Sequence, residues 1–123
     1  MAEITIGFEG QRRDVDDLLF GLFDGSLSKG QSKKAPGNVT IVVKSMPMAK
    51  GTFAHAVVEV AVFVGTNVAL PLFLTWLYDR WKAKGERPVS LRIENRFYQI
   101  DPAILQKAIE DEIKKLEKKD PED

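Results

Sequence analysis

The most constraining feature of this chain is a run of 19 residues without a formal charge, from Val60 to Tyr78. Fourteen of the 19 are Val, Ala, Leu, Phe, Trp or Tyr. A helix of this length spans roughly 28 Å, close to the ~30 Å hydrocarbon core of a bilayer. Aromatic and basic residues follow the run, as they do at membrane interfaces. The run is therefore either a membrane span or the buried centre of a water-soluble domain.

An interruption within the run favours the buried centre. Gly65, Thr66 and Asn67 are small or polar, and Pro71 follows them, which predicts a break or kink in a helix. An unpaired Asn side chain is also unfavourable in lipid. Neither of the segments that flank the run has enough secondary structure to form a hydrophobic core alone. We therefore expect the run to lie between them.

The run therefore predicts two consecutive helices, or one kinked helix. The first is expected over residues 53–64 and the second over residues 68–84, with Thr66 or Asn67 as its cap. Both are apolar on nearly all sides, which predicts burial on more than one side. A partner surface or a homodimer interface would cover what one sheet leaves exposed. Insertion of residues 60–78 by a small membrane-acting effector remains the alternative.

The residues before the run predict a strand, a helix and a second strand. Ile4, Ile6 and Phe8 alternate with other residues, as in a half-buried strand. Residues 24–38 are polar and without periodicity, so we expect a flexible, lysine-rich loop. Residues 39–43 are β-branched and predict the second strand. Between the first strand and the loop, apolar residues recur at helical spacing: Val15, Leu18, Leu19, Leu22 and Phe23.

The residues after the run predict a β-hairpin. Residues 89–93 alternate between apolar and polar side chains. A two-residue turn at Asn95 and Arg96 would place Ile93 opposite Tyr98 and keep one apolar face.

The last predicted element is a helix that begins after Asp101. Asp101 is its expected cap, and Pro102 suits the first helical position. Together the elements predict an α/β two-layer sandwich in the order β-α-β-α(α)-β-β-α, with one mixed sheet of about four strands packed against helices. Residues 1–119 are expected to form one domain, and residues 120–123 a frayed tail.

Composition narrows the functional classes. Lys plus Arg and Asp plus Glu both number 18, so no net charge attracts nucleic acid or an anionic surface. The chain has no cysteine, which excludes disulfides, thiolate metal sites and thiol nucleophiles. A chain without cysteine fits the reducing cytoplasm, where we expect this protein to be located.

Two patterns of titratable residues are candidates for chemistry. The sequence DVDD, from Asp14 to Asp17, could bind a divalent cation, but acids there are also typical of a helix start with Asp14 as the cap. His55 and Glu59 would lie one helical turn apart and could form a general acid–base pair or half a metal site. Since the chain has one His and no Cys, an ion pair is the simpler interpretation. We expect no catalytic residue, metal or cofactor, with a ligand-binding or enzymatic domain as a weaker alternative.

Two groups of residues are candidates for contact with a partner. One is the set of lysines in the predicted loop, which has no phosphate-binding motif: Lys29, Lys33 and Lys34. The other mixes apolar, aromatic and basic side chains near the end of the run: Leu72, Trp76, Tyr78, Arg80 and Trp81. Such a mixture can bind nucleic acid, but its helical spacing favours packing or a protein interface. We therefore expect a protein partner or a homodimer, and no nucleic acid.

The sequences PMAKGTFAHAVVEVAV, GTNVALPLFLTWLYDRWKAKG and VSLRIENRFYQID carry a family resemblance. Over residues 46–101 the chain resembles the bacterial effector-associated constant component family. It departs from the family pattern in its hairpin turn, which lacks the usual Gly-rich loop, and in its added C-terminal helix. The resemblance implies a small α/β adaptor without enzymatic activity. Such an adaptor would couple a sensor to an effector in a bacterial defence or signalling system.

Overall fold

The computed structural model describes residues 2–25, 27–45, 55–65 and 67–119, with the backbone alone for residues 117–119. The described residues form six strands and three helices. In chain order these are β1 (Ala2–Gln11), α1 (Arg12–Leu22), β2 (Ser32–Ala35), β3 (Val39–Val43), β4 (His55–Val64), α2 (Leu70–Ala83), β5 (Ser90–Ile93), β6 (Arg96–Tyr98) and α3 (Pro102–Lys119). Two of these elements, β2 and β4, differ from the sequence-based prediction.

The strands form one sheet in the order β2-β3-β4-β1-β5-β6, and each neighbouring pair is antiparallel. The central pair, β1 and β4, is in register from Ala2 opposite Val64 to Gln11 opposite His55. The prediction of a mixed sheet of about four strands is therefore wrong in strand number and orientation. The prediction of one sheet packed with helices is confirmed.

Strand β4 takes the place of the first predicted helix, which is wrong over residues 55–64. Val58, Val60, Val62 and Val64 point into the core and are at most 2% exposed. The segment is apolar on both faces, so helical and strand periodicities both fit its sequence. Its valines favour the strand, because β-branched side chains lose freedom in a helix. Residues 53 and 54 of the predicted helix lie outside the described residues.

Helix α2 confirms the second predicted helix with slightly shorter ends. Pro71 lies in its first turn, where a missing N–H is tolerated, so it starts the helix without kinking it. The cap residue is Ala69, whose N–H donates to the carbonyl of Gly37 at 2.8 Å and whose side chain makes no capping hydrogen bond. The expected Asn67 cap is therefore wrong, and Thr66 lies outside the described residues.

The other two helices were also predicted from the sequence, and the start of one of them needs a correction. Helix α1 starts at Arg12, so Asp14 lies in the first turn and is not the predicted cap. Helix α3 starts at Pro102, and the Asp101 carboxylate accepts from the N–H of Ala103 at 3.0 Å and of Ile104 at 3.4 Å. The prediction of Asp101 as a cap is confirmed.

The hairpin turn lies one residue earlier than predicted. Its two turn residues are Glu94 and Asn95, and Glu94 has a positive φ of 56°. In this register Leu91, not Ile93, lies opposite Tyr98. Leu91 is buried and Tyr98 packs against the core, so the register keeps both apolar residues on the inner face.

Strand β2 lies within the predicted loop of residues 24–38. Ser32–Ala35 pair with β3, from Ser32 opposite Val42 to Ala35 opposite Val39. Lys33 and Lys34 make this strand difficult to predict from the sequence, because lysine is depleted in strands generally. Lysine is nevertheless frequent in edge strands, and β2 is one.

The three helices pack against one face of the sheet. Buried residues of α1, α2 and α3 join those of β1, β3, β4 and β5 in a single apolar cluster. On the opposite face of the sheet, the small side chain of Ala61 is also buried, at 2% exposed. Lys44, which directly follows β3, reaches across β4 to the Thr5 hydroxyl of β1, at 3.2 Å, so its aliphatic stem lies over β4.

The uncharged run is divided between a strand and a helix. Its first residues, Val60 to Val64, belong to β4, and residues 70–78 belong to α2. Among the described residues, none of the helices combines the length and the apolar content that a membrane span requires.

Candidate protein-interaction surface

Three residues at four-residue spacing form a stripe along the outer side of α2. These residues, Leu72, Trp76 and Arg80, are called the α2 stripe, since positions four apart lie on one helix face. The Leu72 side chain is 59% exposed. The Trp76 ring is partly buried, with its centroid 6.0 Å from that of Phe73. The stripe thus presents an exposed aliphatic group beside an aromatic ring seated on the core.

Arg80 fixes the far end of the α2 stripe. Its guanidinium carbon lies 5.5 Å from the centroid of the Trp76 ring, in cation–π geometry. Its Nη1 donates to the carbonyl oxygen of Gly21 at 2.8 Å. This carbonyl belongs to the last turn of α1, so the contact ties α2 to α1 and holds the guanidinium over the ring.

Asp24 links the α2 stripe to strand β2. Its carboxylate lies 3.7 Å from Arg80 and forms a close ion pair with Lys33. The hydrogen bond from Lys33 lowers the pKa of Asp24 below its ordinary value of 3.8, and the charges of Lys33 and Arg80 lower it further. Lys33 and Arg80 lie 47 positions apart in the sequence (80 − 33), and the fold brings them to one carboxylate.

Other predicted contact residues lie elsewhere. Tyr78 and Trp81 occupy a different side of α2, with ring centroids 5.7 Å apart. The Trp81 indole donates to the carbonyl of Arg87 at 2.8 Å, so it holds the connection between α2 and β5. Lys29 and Lys34 are exposed and contribute nothing to the α2 stripe. Of the predicted set, the structure therefore brings together the α2 stripe and Lys33.

His55 and Glu59 do not form the predicted pair. On a strand, residues four apart are separated by about 13 Å, so the two side chains share a face of β4 without meeting. The His55 ring instead contacts the Glu9 carboxylate of β1, with Nε2 and Oε2 2.8 Å apart. The proposed acid–base pair depended on a helix that this segment does not form, and the expectation is wrong.

The three carboxylates of DVDD are paired with arginines: Asp14 and Asp17 with Arg87, and Asp16 with Arg12. Arg87 lies 3.3 Å from the buried Asp14 and 2.8 Å from Asp17. Within residues 2–25, 27–45, 55–65 and 67–119, there is no group of three His, Asp or Glu residues that could hold a metal ion.

Two contributors to the surface were missed by sequence reasoning: Asp24 and the backbone carbonyl of Gly21. Asp24 precedes Gly25 at the end of α1, where it is typical of a turn. It has a positive φ of 59°, which Asp tolerates better than most residues. Nothing in the sequence pairs it with Lys33 or Arg80, because only the fold brings β2 and α2 to the end of α1.

Comparisons with known proteins gave no match: no family model, no curated protein and no solved structure matches the chain. Function is therefore inferred from the chemistry of the α2 stripe and its neighbours.

Proposed function

We propose that this chain is a non-enzymatic interaction module that binds a protein partner through the α2 stripe. The observation that carries the proposal is the Trp76 ring, fixed beneath Arg80 and next to the exposed Leu72. Trp and Arg are enriched among the residues that dominate binding energy at protein interfaces. Side chains held in place before binding also lose less conformational entropy when the partner arrives.

Charge around the α2 stripe indicates the chemistry of the partner. Arg80 and Lys33 share the single carboxylate of Asp24, so these three side chains together carry one net positive charge. At the other end of the α2 stripe, Leu72 and Pro71 are exposed and uncharged. The surface therefore fits a partner with an apolar pocket for Leu72 and an acidic rim facing Arg80.

The resemblance to the effector-associated constant component family supplies the proposed context. We infer a cytoplasmic adaptor that couples a sensor to an effector in a bacterial defence or signalling system. Membrane insertion of residues 60–78 is not proposed, because residues 60–64 of this run pair in the sheet and residues 70–78 form α2. A role for His55 and Glu59 in catalysis is not proposed, because the two side chains are held apart.

The experiment tests binding to the proteins encoded beside this chain in its genome. Each neighbouring protein is purified, and its affinity for the wild-type chain is measured by biolayer interferometry. We expect one of them to bind, and Leu72→Asp or Trp76→Ala to weaken that binding by about tenfold or more, as is usual for central interface residues.

Ile104→Asp is the matched control, because Ile104 of α3 is also exposed, at 49%. This variant is expected to bind like the wild type, and circular dichroism checks that all variants fold. The proposal fails if no neighbouring protein binds, or if Leu72→Asp binds as tightly as Ile104→Asp.

A further inference from the structure

Strand β2 is an edge of the sheet, with β3 as its neighbour on one side. An edge strand presents backbone N–H and C=O groups that can pair with another chain. β2 is short and two of its four residues are lysines, features that oppose pairing with most other strands. A strand with acidic side chains would instead be attracted by these charges, so the edge is a second surface at which this module can meet a partner.

Backbone hydrogen bonds show which groups β2 presents. The N–H of Val43 donates to the carbonyl of Gln31 at 2.9 Å, and the carbonyl of Val43 accepts from the N–H of Gly30 at 2.8 Å. Hydrogen-bonded positions alternate along an antiparallel ladder, so the next residue of β2 to face β3 is Lys33. Ser32 and Lys34 therefore direct their backbone N–H and C=O groups toward the open edge.

The lysines at this edge differ in their internal contacts. Lys33 is paired with Asp24. Lys29 and Lys34 are exposed and form no ion pair with the described residues. The edge therefore carries two positive charges without internal compensation, beside backbone groups that can accept a further strand.

We propose that β2 accepts an extended, acidic segment of a protein partner as an additional strand. The backbone of that segment would pair with Ser32 and Lys34, and its carboxylates would approach Lys29 and Lys34. A second copy of this chain fits poorly, because antiparallel pairing of two β2 strands would bring the lysines of both copies together. The inference rests on the proposed function and specifies the partner's chemistry at a surface outside the α2 stripe.

The probe is a short, fluorescently labelled synthetic peptide that alternates Glu with Val, and its control alternates Lys with Val. Binding to the full chain is measured by fluorescence anisotropy. We expect the Glu peptide to bind at least about tenfold more tightly than the Lys peptide. Its affinity should fall when salt is raised, because Lys29 and Lys34 are exposed to solvent.

Two substitutions at one position test strand pairing. Ser32→Pro removes an outward N–H, and proline is tolerated where the N–H of an edge strand faces solvent. It is expected to weaken binding of the Glu peptide about tenfold, whereas the matched control Ser32→Thr keeps the N–H and should bind normally.

Lys34→Glu tests the charge of the edge. It should also weaken binding at least about tenfold, because it reverses one of the two lysine charges that have no internal ion pair.

The inference is overturned if the two peptides bind equally or if Ser32→Pro binds like Ser32→Thr. It is also overturned if light scattering finds a dimer that Ser32→Pro dissociates, since a second copy would then occupy the edge. Should Ser32→Pro unfold, as shown by circular dichroism, tight binding of the Glu peptide by Lys34→Glu overturns it instead. Leu72→Asp is expected to bind the peptide normally, so failure at the edge is distinguishable from failure at the α2 stripe.

Discussion

Arg87 bridges two carboxylates of α1 from the connection between α2 and β5. Asp14 is 3% exposed, and burial of a carboxylate is unfavourable unless a partner compensates its charge. Arg87 supplies that partner, at 3.3 Å, and also pairs with Asp17 at 2.8 Å. The acidic sequence at the start of α1 was interpreted as a cap or a cation site, because its true partner follows 73 residues later.

Arg87→Ala should lower the free energy of unfolding by about 2–4 kcal/mol, because it leaves Asp14 buried without its cation. Chemical denaturation monitored by circular dichroism measures the change. Arg96→Ala removes an exposed arginine of β6 and should change stability by only about 0.5 kcal/mol. Equal losses in the two variants would show that the contact with Asp14 contributes little.

A second prediction at this scale concerns the pKa of Asp24, which is lowered mainly by its hydrogen bond with Lys33. The folded pKa lies below the ordinary 3.8, so the pair contributes stability above pH 3.8 and loses it as pH falls through the folded pKa. Lys33→Ala should raise the pKa of Asp24 toward 3.8, measured from its carboxyl carbon by NMR titration. Lys34→Ala is the matched control, and an equal pKa in both variants would contradict the pairing.

At the scale of elements, periodicity predicted those parts of the fold whose apolar residues mark a single face. The stripe of α1 and the capped start of α3 are examples. It misassigned β4, because valines on both faces of that strand satisfy two periodicities. It also missed β2, whose lysines are compatible with a strand only at a sheet edge. The α2 stripe was predicted as separate residues, and its link to Lys33 through Asp24 depends on contacts between elements.

The turn between β2 and β3 positions the start of α2, and this contact leads to a prediction about glycine. Gly37 has a φ of 86°, and a Cβ there would collide with the carbonyl oxygen of Ala69. Gly37→Ala should therefore destabilise the fold by roughly 2–4 kcal/mol, through backbone strain and displacement of the helix start.

Gly25→Ala is the matched control for this prediction. Gly25 has a similar φ of 93°, but a Cβ there would meet no atom within 4 Å. Only the strain of positive φ remains, so the expected loss is about 1 kcal/mol. Thermal unfolding measures the loss of stability in both variants. Similar losses would mean that the close contact with Ala69 adds no destabilisation beyond the strain of positive φ.

At the scale of the whole molecule, β4 is surrounded on three sides. β1 pairs along its full length, β3 pairs with residues 60–64, and the helices cover its inner face. On the outer face, the stem of Lys44 crosses it. The sequence suggested that a partner would have to cover the uncharged run, but the part of the run within β4, residues 60–64, is largely covered by the chain itself.

This arrangement predicts a gradient of hydrogen exchange across the sheet. Backbone amides of Val60 to Val64 should exchange slowest, because their release requires opening of the central strands. Amides of the edge strands β2 and β6 should exchange faster. Deuterium uptake resolved by NMR gives the order, and slow exchange in β2 with fast exchange in β4 would contradict this topology.

The position of β4 has a consequence for how the chain is made. Both of its sheet neighbours, β1 and β3, precede it in the sequence. Domains emerge from the ribosome N-terminal end first, and exposed apolar segments of unfinished chains are prone to aggregation. When β4 leaves the exit tunnel, its neighbours have already been synthesised. This apolar strand of the nascent chain can therefore be sequestered before translation of α3 is complete.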